Sequence, residues 1–189
     1  METRRMETRT RAEEFLLTHG TDRLHHPGGT LFDHLRRVAA TLAEWGAEET
    51  VQVAGLCHAA YGTDGFDQVL LDVTERATLA ALIGADAEAL VYLYGSCDRD
   101  AVYPLLGTPG PVPFRDRFSG KAAPAPEPSV RAFLEITAAN ELDVTAHNAE
   151  LAAKYGPSLR RLFIRGRARL SDAAWQACVR QLGGDPDQG

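Results

Sequence analysis

Four histidines stand where their ring nitrogens could act together. His25 and His26 precede a strongly amphipathic segment, His34 lies inside it, and His58 ends the next apolar segment. A neutral imidazole carries one donor and one acceptor, titrates near neutral pH, and is the commonest transition-metal ligand. On an apolar face, both ring nitrogens must find partners away from water: a metal, a backbone carbonyl or another side chain. One such residue is ordinary core structure. His34 and His58 on neighbouring antiparallel helices favour a shared site. Asn140, Glu141 and Asp143 lie in a third polar segment, and Asp98, Arg99, Arg115 and Arg117 in a fourth. A purely structural core has little use for polar groups converging from 25–34, 58–64 and 140–143. His58, Tyr61, Asp143 and Glu141 are the expected proton-handling residues. His25, Thr63, Asp98, Arg99, Arg115 and Arg117 are the expected substrate contacts, the arginines suiting a carboxylate or phosphate. His26, His34 and His58 are the candidate metal ligands that residue type alone offers.

Helices must position these groups. Leu31, Leu35, Val38, Leu42 and Trp45 recur at steps of four and three, the period of an amphipathic helix that Gly46 ends. Residues 47–60 read as a buried helix, 61–66 as a tight loop, and 74–83 and 85–97 as helices parted by Gly84. Residues 9–19, 129–147, 157–165 and 171–182 complete a helical set, the last capped by Ser171. Seven of the ten prolines fall within 98–128, which reads as a long loop or lid. No alternating strand pattern stands out. The expectation is one all-α domain over 9–183, a bundle of about 7–8 helices, with disordered ends at 1–8 and 184–189.

Composition narrows the partners. A formal charge of -6 over 189 residues argues against nucleic acid, and the arginines at 160, 161, 165, 167 and 169 read as a solvated helix face. Three separated cysteines, Cys57, Cys97 and Cys178, make neither a disulfide framework nor a thiolate zinc site, so a reducing cytoplasm is expected. No apolar run approaches the ~20 residues that span a bilayer. The charged start lacks the apolar stretch of a secretory signal. Neither membrane nor nucleic acid is expected as a partner. Small helical domains often dimerise, so a homodimer stays open, although no heptad stripe supports it. Cys57 and His58 are adjacent on a helix, diverge by about 100°, and form no dyad. Ser119 and Ser158 have no nucleophile elbow around them.

The stretch His25-His-Pro-Gly-Gly-Thr-Leu-Phe-Asp-His34-Leu-Arg-Arg-Val resembles the first metal-histidine helix of HD-domain proteins. Val53-Ala-Gly-Leu-Cys-His58-Ala59 is similar to their Ala-Ala-Leu-Leu-His-Asp segment. Within that superfamily the likeness is nearest to alarmone hydrolases of the RelA/SpoT type. Ile83-Gly84 with Glu88-Ala-Leu-Val resembles their "Phe-Gly … Leu-Val" stretch, and Ala139-Asn140-Glu-Leu-Asp143 resembles the helix that brings the last ligand. Gly55 to Phe66 also resembles a "Gly-Leu-His … Tyr-Gly-Thr … Phe" signature of an uncharacterised family. The resemblance implies an HD-like bundle with His34 and His58 as metal ligands. It also exposes departures. The aspartate after the second histidine is Ala59, and the last aspartate falls on Asn140. The acidic pair used in alarmone hydrolysis falls on Gly62 and Thr63, and an arginine of the family falls on His25. Hard cations want carboxylates, so a histidine-rich set suits iron, zinc or copper better, or no cofactor at all. Alarmone hydrolysis is not expected. Three readings remain: a remodelled enzyme acting on a small anionic metabolite by metal-assisted hydrolysis, oxidation or histidine acid–base chemistry; an inactive small-ligand binding module; or a plain structural core.

Overall fold

The structure, a computed structural model, describes residues 2–66 and 68–183. Its frame is all-α, with nine helices among the described residues. They are α1 (Glu2–Thr18), α2 (Leu31–Glu44), α3 (Glu49–Leu56), α4 (Arg76–Ile83), α5 (Ala85–Ser96), α6 (Arg99–Val102), α7 (Glu127–His147), α8 (Ala149–Arg165) and α9 (Asp172–Leu182). Two short hairpins pair β1 (His25–His26) with β2 (Gly29–Thr30), and β3 (Val112–Arg115) with β4 (Ala122–Ala125). No described helix is long and apolar enough to cross a membrane.

Helix α2 begins where the sequence demands it. Thr30 and Asp33 form a reciprocal cap, Asp33 N–H donating to Thr30 Oγ1 at 3.1 Å and Thr30 N–H to Asp33 Oδ2 at 3.1 Å. Leu31, Leu35, Val38 and Leu42 then line one buried stripe. That stripe packs on α3, where Gly55 admits Leu42: a Cβ at Gly55 would stand 2.3 Å from Leu42 Cδ1. The two helices therefore approach closely, which carries His58 beside His34. Helix α7 is central, touching α2, α3, α5, α8 and α9. Its buried side chains run from Val130 to Thr145 and include the polar Thr137 and Asn140. Burial of this kind drives the assembly, at roughly 25 cal/mol per Å² of apolar surface.

Three expectations change. Helix α1 starts at Glu2 rather than residue 9, so residues 2–8 are helical. Polar pairs such as Arg9–Glu13 (3.2 Å) sustain a turn that hydropathy does not reveal, and Ala12 and Leu16 dock it on the core. Helix α8 starts at Ala149, because Asn148 caps it by accepting from Leu151 N–H at 2.9 Å. It runs through Pro157, the residue that sequence alone would place at its first turn. The proline-rich segment is built, not loose. Val112 and Phe114 point inward while Pro113 and Arg115 point out, and Pro113 opposes Pro124 across the hairpin. Prolines hide this alternation from a sequence reading. Buried Arg169 ties the segment down through the carbonyls of Leu106, Thr108 and Gly110 and the carboxylate of Glu127. The tail at 184–189 lies outside the described residues.

Candidate functional site

His34, His58, Asn140 and Asp143 meet where α2, the end of α3 and α7 converge. His34 is 1% exposed and His58 3%. His34 Nδ1–H donates to Asp143 Oδ2 at 2.6 Å, and Nε2 lies 3.0 Å from Asn140 Oδ1. Asn140 is oriented by its neighbour, since its amide nitrogen donates to Glu141 Oε1 at 3.2 Å. Its oxygen must therefore face His34. Each ring nitrogen of His34 thus faces an oxygen acceptor. Arg37, three residues further along α2, donates to both oxygens of Asp143 at 2.7 and 2.9 Å. Burial opposes ionisation of Asp143, but the His34 and Arg37 hydrogen bonds outweigh it and hold the carboxyl at about 2.

His58 stands just past the end of α3, in the turn that follows Leu56. Its Nδ1–H donates to Gly55 O at 2.7 Å. That bond selects one tautomer and leaves the Nε2 lone pair free. Its ring is edge-on to His34 at 5.4 Å and to Tyr94 at 5.1 Å. Burial, followed by the His34 charge, lowers its pKa to about 3. His26 sits on the β1–β2 hairpin, whose Pro27–Gly28 turn needs the positive φ of Gly28 (82°). Its ring stacks on His34 at 3.9 Å, and burial with the same charge lowers its pKa to about 4. Its Nδ1 is buried without a hydrogen-bond partner. Arg37 binds the hairpin too, donating to Pro27 O and Gly28 O at 3.1 and 3.3 Å. The cluster thus sets two imidazoles that burial keeps neutral around one that faces an acceptor at each nitrogen.

The expected metal residues differ in how they face one another: His34 and His58 meet edge-on at 80°, whereas His26 lies against His34. An ion shared by two imidazoles lies in both ring planes, about 2 Å from each nitrogen. The His26 and His34 planes are inclined by only 27° with centroids 3.9 Å apart, so they do not converge within that reach. Both His34 nitrogens are engaged by Asp143 and Asn140, and Asn140 presents its oxygen to His34. Among the described residues no group of three or more His, Cys, Asp or Glu is arranged to hold a metal ion. As they stand, the stacked His26 and His34 do not share an ion.

Other expected residues divide. Arg99 joins the cluster's far side: it donates to Glu141 Oε1 at 3.1 Å, and its backbone N–H donates to Asp64 Oδ2 at 2.9 Å. Tyr61 does not join, because its hydroxyl donates to Glu88 Oε1 at 2.8 Å in a separate network with Arg76. Its ring is buried while its oxygen faces that carboxylate, whose presence raises the phenol further after burial. Thr63 is buried in a backbone bridge to Phe66, and Phe66 meets His26 edge-on at 5.7 Å. His25 is exposed and paired with Thr30. Asp98 caps α6 through Ala101 N–H and pairs with the exposed Arg115 at 3.3 Å. Arg117 donates to Gly95 O at 2.7 Å and covers Phe118. Neither arginine reaches the histidines through these contacts. Sequence reasoning missed Arg37, Tyr94 and Tyr103. Arg37 was findable, because it lies one helical turn from His34.

The profile of one family, a domain of unknown function (DUF6817), matches residues 15–99. The match includes His26, His34, His58, Tyr94 and Arg99 and stops before α7, which supplies Asn140, Glu141 and Asp143. No curated protein and no solved structure matches the chain.

Proposed function

We propose that this chain is an enzyme that transforms a small anionic metabolite by histidine acid–base chemistry, in a divergent relative of the HD-domain bundle. The observation that carries the reading is the pairing of unlike imidazoles. His58 is neutral, fixed in one tautomer by Gly55, and keeps a free Nε2 lone pair. His34, 5.4 Å away, is locked by Asp143 and faces an oxygen acceptor at each nitrogen, the setting that suits a proton donor. A base and an acid held apart by their surroundings is the arrangement that proton transfer requires. His58 is the base in this reading. His34 is the acid and electrostatic partner, while Asp143 and Arg37 are positioning residues. The meeting of His34, His58 and Asn140 supports the HD-like ancestry, and Ala59 and Asn140 support a departure from its metal chemistry. The three cysteines are free and buried, which supports a reducing compartment such as the cytoplasm.

A second reading is a binding module without turnover. Full engagement of both His34 nitrogens and the lack of a carboxylate beside His58 favour it. Incubating the protein with a mixture of small anionic metabolites, followed by mass spectrometry, tests the first reading. A compound transformed by the native chain and spared by His58→Gln supports it. Equal transformation by both proteins removes His58 from the chemistry and overturns it.

A further inference from the structure

Beyond His58 the row of rings continues through Tyr94 to a second polar nook. The Arg99 guanidinium carbon lies 5.8 Å from the centroids of both Tyr94 and Tyr103. Burial keeps both phenols un-ionised, so each offers an O–H. The Tyr103 hydroxyl is buried and has no hydrogen-bond partner. Such an orphan costs stability in a folded protein and calls for an explanation such as a ligand. Arg99 is under-used as well. Of its five donors, one bonds Glu141 Oε1 at 3.1 Å, and another reaches Tyr94 Oη only at 3.5 Å. About a quarter of its side chain (24%) is in contact with solvent, whereas Glu141 is 14% exposed. The nook is therefore reachable at Arg99 and closed at Tyr103.

We propose that Arg99, with Tyr94 and Tyr103, seats the carboxylate of a small monocarboxylate, and that Glu141 occupies this seat until the ligand displaces it. The inference names the substrate class of the site proposed above and rests on that reading only for what happens after binding. A planar guanidinium fork matches a carboxylate, and the two phenols add donors to the same group. Charge decides against a phosphate. Asp64 already accepts from the Arg99 backbone, and among the described residues Arg99 is the one cation set against Tyr94, Tyr103 and Glu141, so a dianion would leave unbalanced negative charge. A monocarboxylate replaces Glu141 charge for charge. Tyr94 then places the ligand beside His58, its ring 5.1 Å away.

Titration calorimetry of the full chain with acetate, pyruvate and benzoate, against inorganic phosphate, tests this. We expect saturable binding of at least one monocarboxylate and none of phosphate. Arg99→Lys and Tyr103→Phe should each weaken binding about tenfold, the loss of one charge-assisted or buried hydrogen bond. Glu141→Gln should tighten it by removing the competitor. Ligand-free Tyr103→Phe should be at least as stable as the native protein, because an orphan hydroxyl is lost. Phosphate binding as tight as carboxylate, no carboxylate binding, unchanged or weaker binding in Glu141→Gln, or a large loss of stability in Tyr103→Phe would each overturn the assignment. Carboxylate binding retained in His58→Gln, without turnover in any protein, would sink the acid–base reading and leave this seat standing.

Discussion

Acid should destabilise this fold well above the pH at which carboxylates titrate. His58 and His26 are neutral in the folded chain with pKa values lowered to about 3 and about 4, and in the unfolded chain they return to 6.5. Between those limits the unfolded state binds more protons, so stability falls as pH falls from 6.5 and the loss is complete only below the folded values. Each fully buried site contributes about 1.4 kcal/mol per pH unit inside the window. From pH 7 to pH 5 that is about 2 kcal/mol for His58, and somewhat less for the partly exposed His26 after solvent screening. Together they remove roughly 3 kcal/mol, a large share of the 5–15 kcal/mol typical of a domain. Asp143 works in the same direction but later, its stabilisation lost only below its usual 3.8 towards about 2. Urea unfolding followed by tryptophan fluorescence at pH 7, 6 and 5 reads the effect. With a typical slope near 2 kcal/mol per M, the midpoint should drop by about 1.5 M over that range. His58→Gln should cut the pH dependence by about half. A midpoint constant between pH 7 and 5 would show that neither ring is buried in its neutral form, and the electrostatic picture of the cluster would fail.

Gly55→Ala should cost about 1–3 kcal/mol in urea unfolding, because its Cβ meets Leu42 at 2.3 Å; a neutral result would mean α2 and α3 can slide apart. Asp143→Ala strips the buried His34 and the half-buried Arg37 of their shared partner and should cost about 3–5 kcal/mol, with a change below 1 kcal/mol contradicting the triad. Arg169→Ala should open the segment between Leu106 and Glu127 to limited proteolysis while α7 stays protected; an unchanged digestion pattern would show that the hairpin holds without the clamp.

The helical frame was legible because α2 writes its period plainly, and because Gly46 and Gly84 mark real helix ends. The meeting of His34, His58 and Asn140 was legible from a resemblance, whose spacing implies that α2, α3 and α7 pack together. Other features were hidden for physical reasons. The polar first turns of α1 have no apolar period to betray them, and they continue a helix that Ala12 and Leu16 dock on the core further along. Pro113 and Pro124 disguise a hairpin as a loop, although they sit where a short ribbon tolerates them. Tyr61 follows His58 by three residues, yet its hydroxyl is claimed by Glu88, a partner 27 positions away. Tyr94 and Tyr103 belong to no motif that singles them out, and it is the orphaned hydroxyl of Tyr103 that marks the nook. The stacking of His26 on His34 was hidden as well, because ring orientation is not written in spacing.

Nitrogen-15 spectroscopy of the histidine rings at pH 7 tests the central claim most directly. The account predicts one buried imidazole with hydrogen on Nδ1 and a bare Nε2, lost in His58→Gln, and one with hydrogen on both nitrogens, lost in His34→Gln. The His58 signal should stay neutral down to about pH 4 in protein that remains folded. A His58 ring that is protonated at pH 7, or a His34 ring with one bare nitrogen, would leave no acid–base pair in the cluster and would contradict the proposed chemistry.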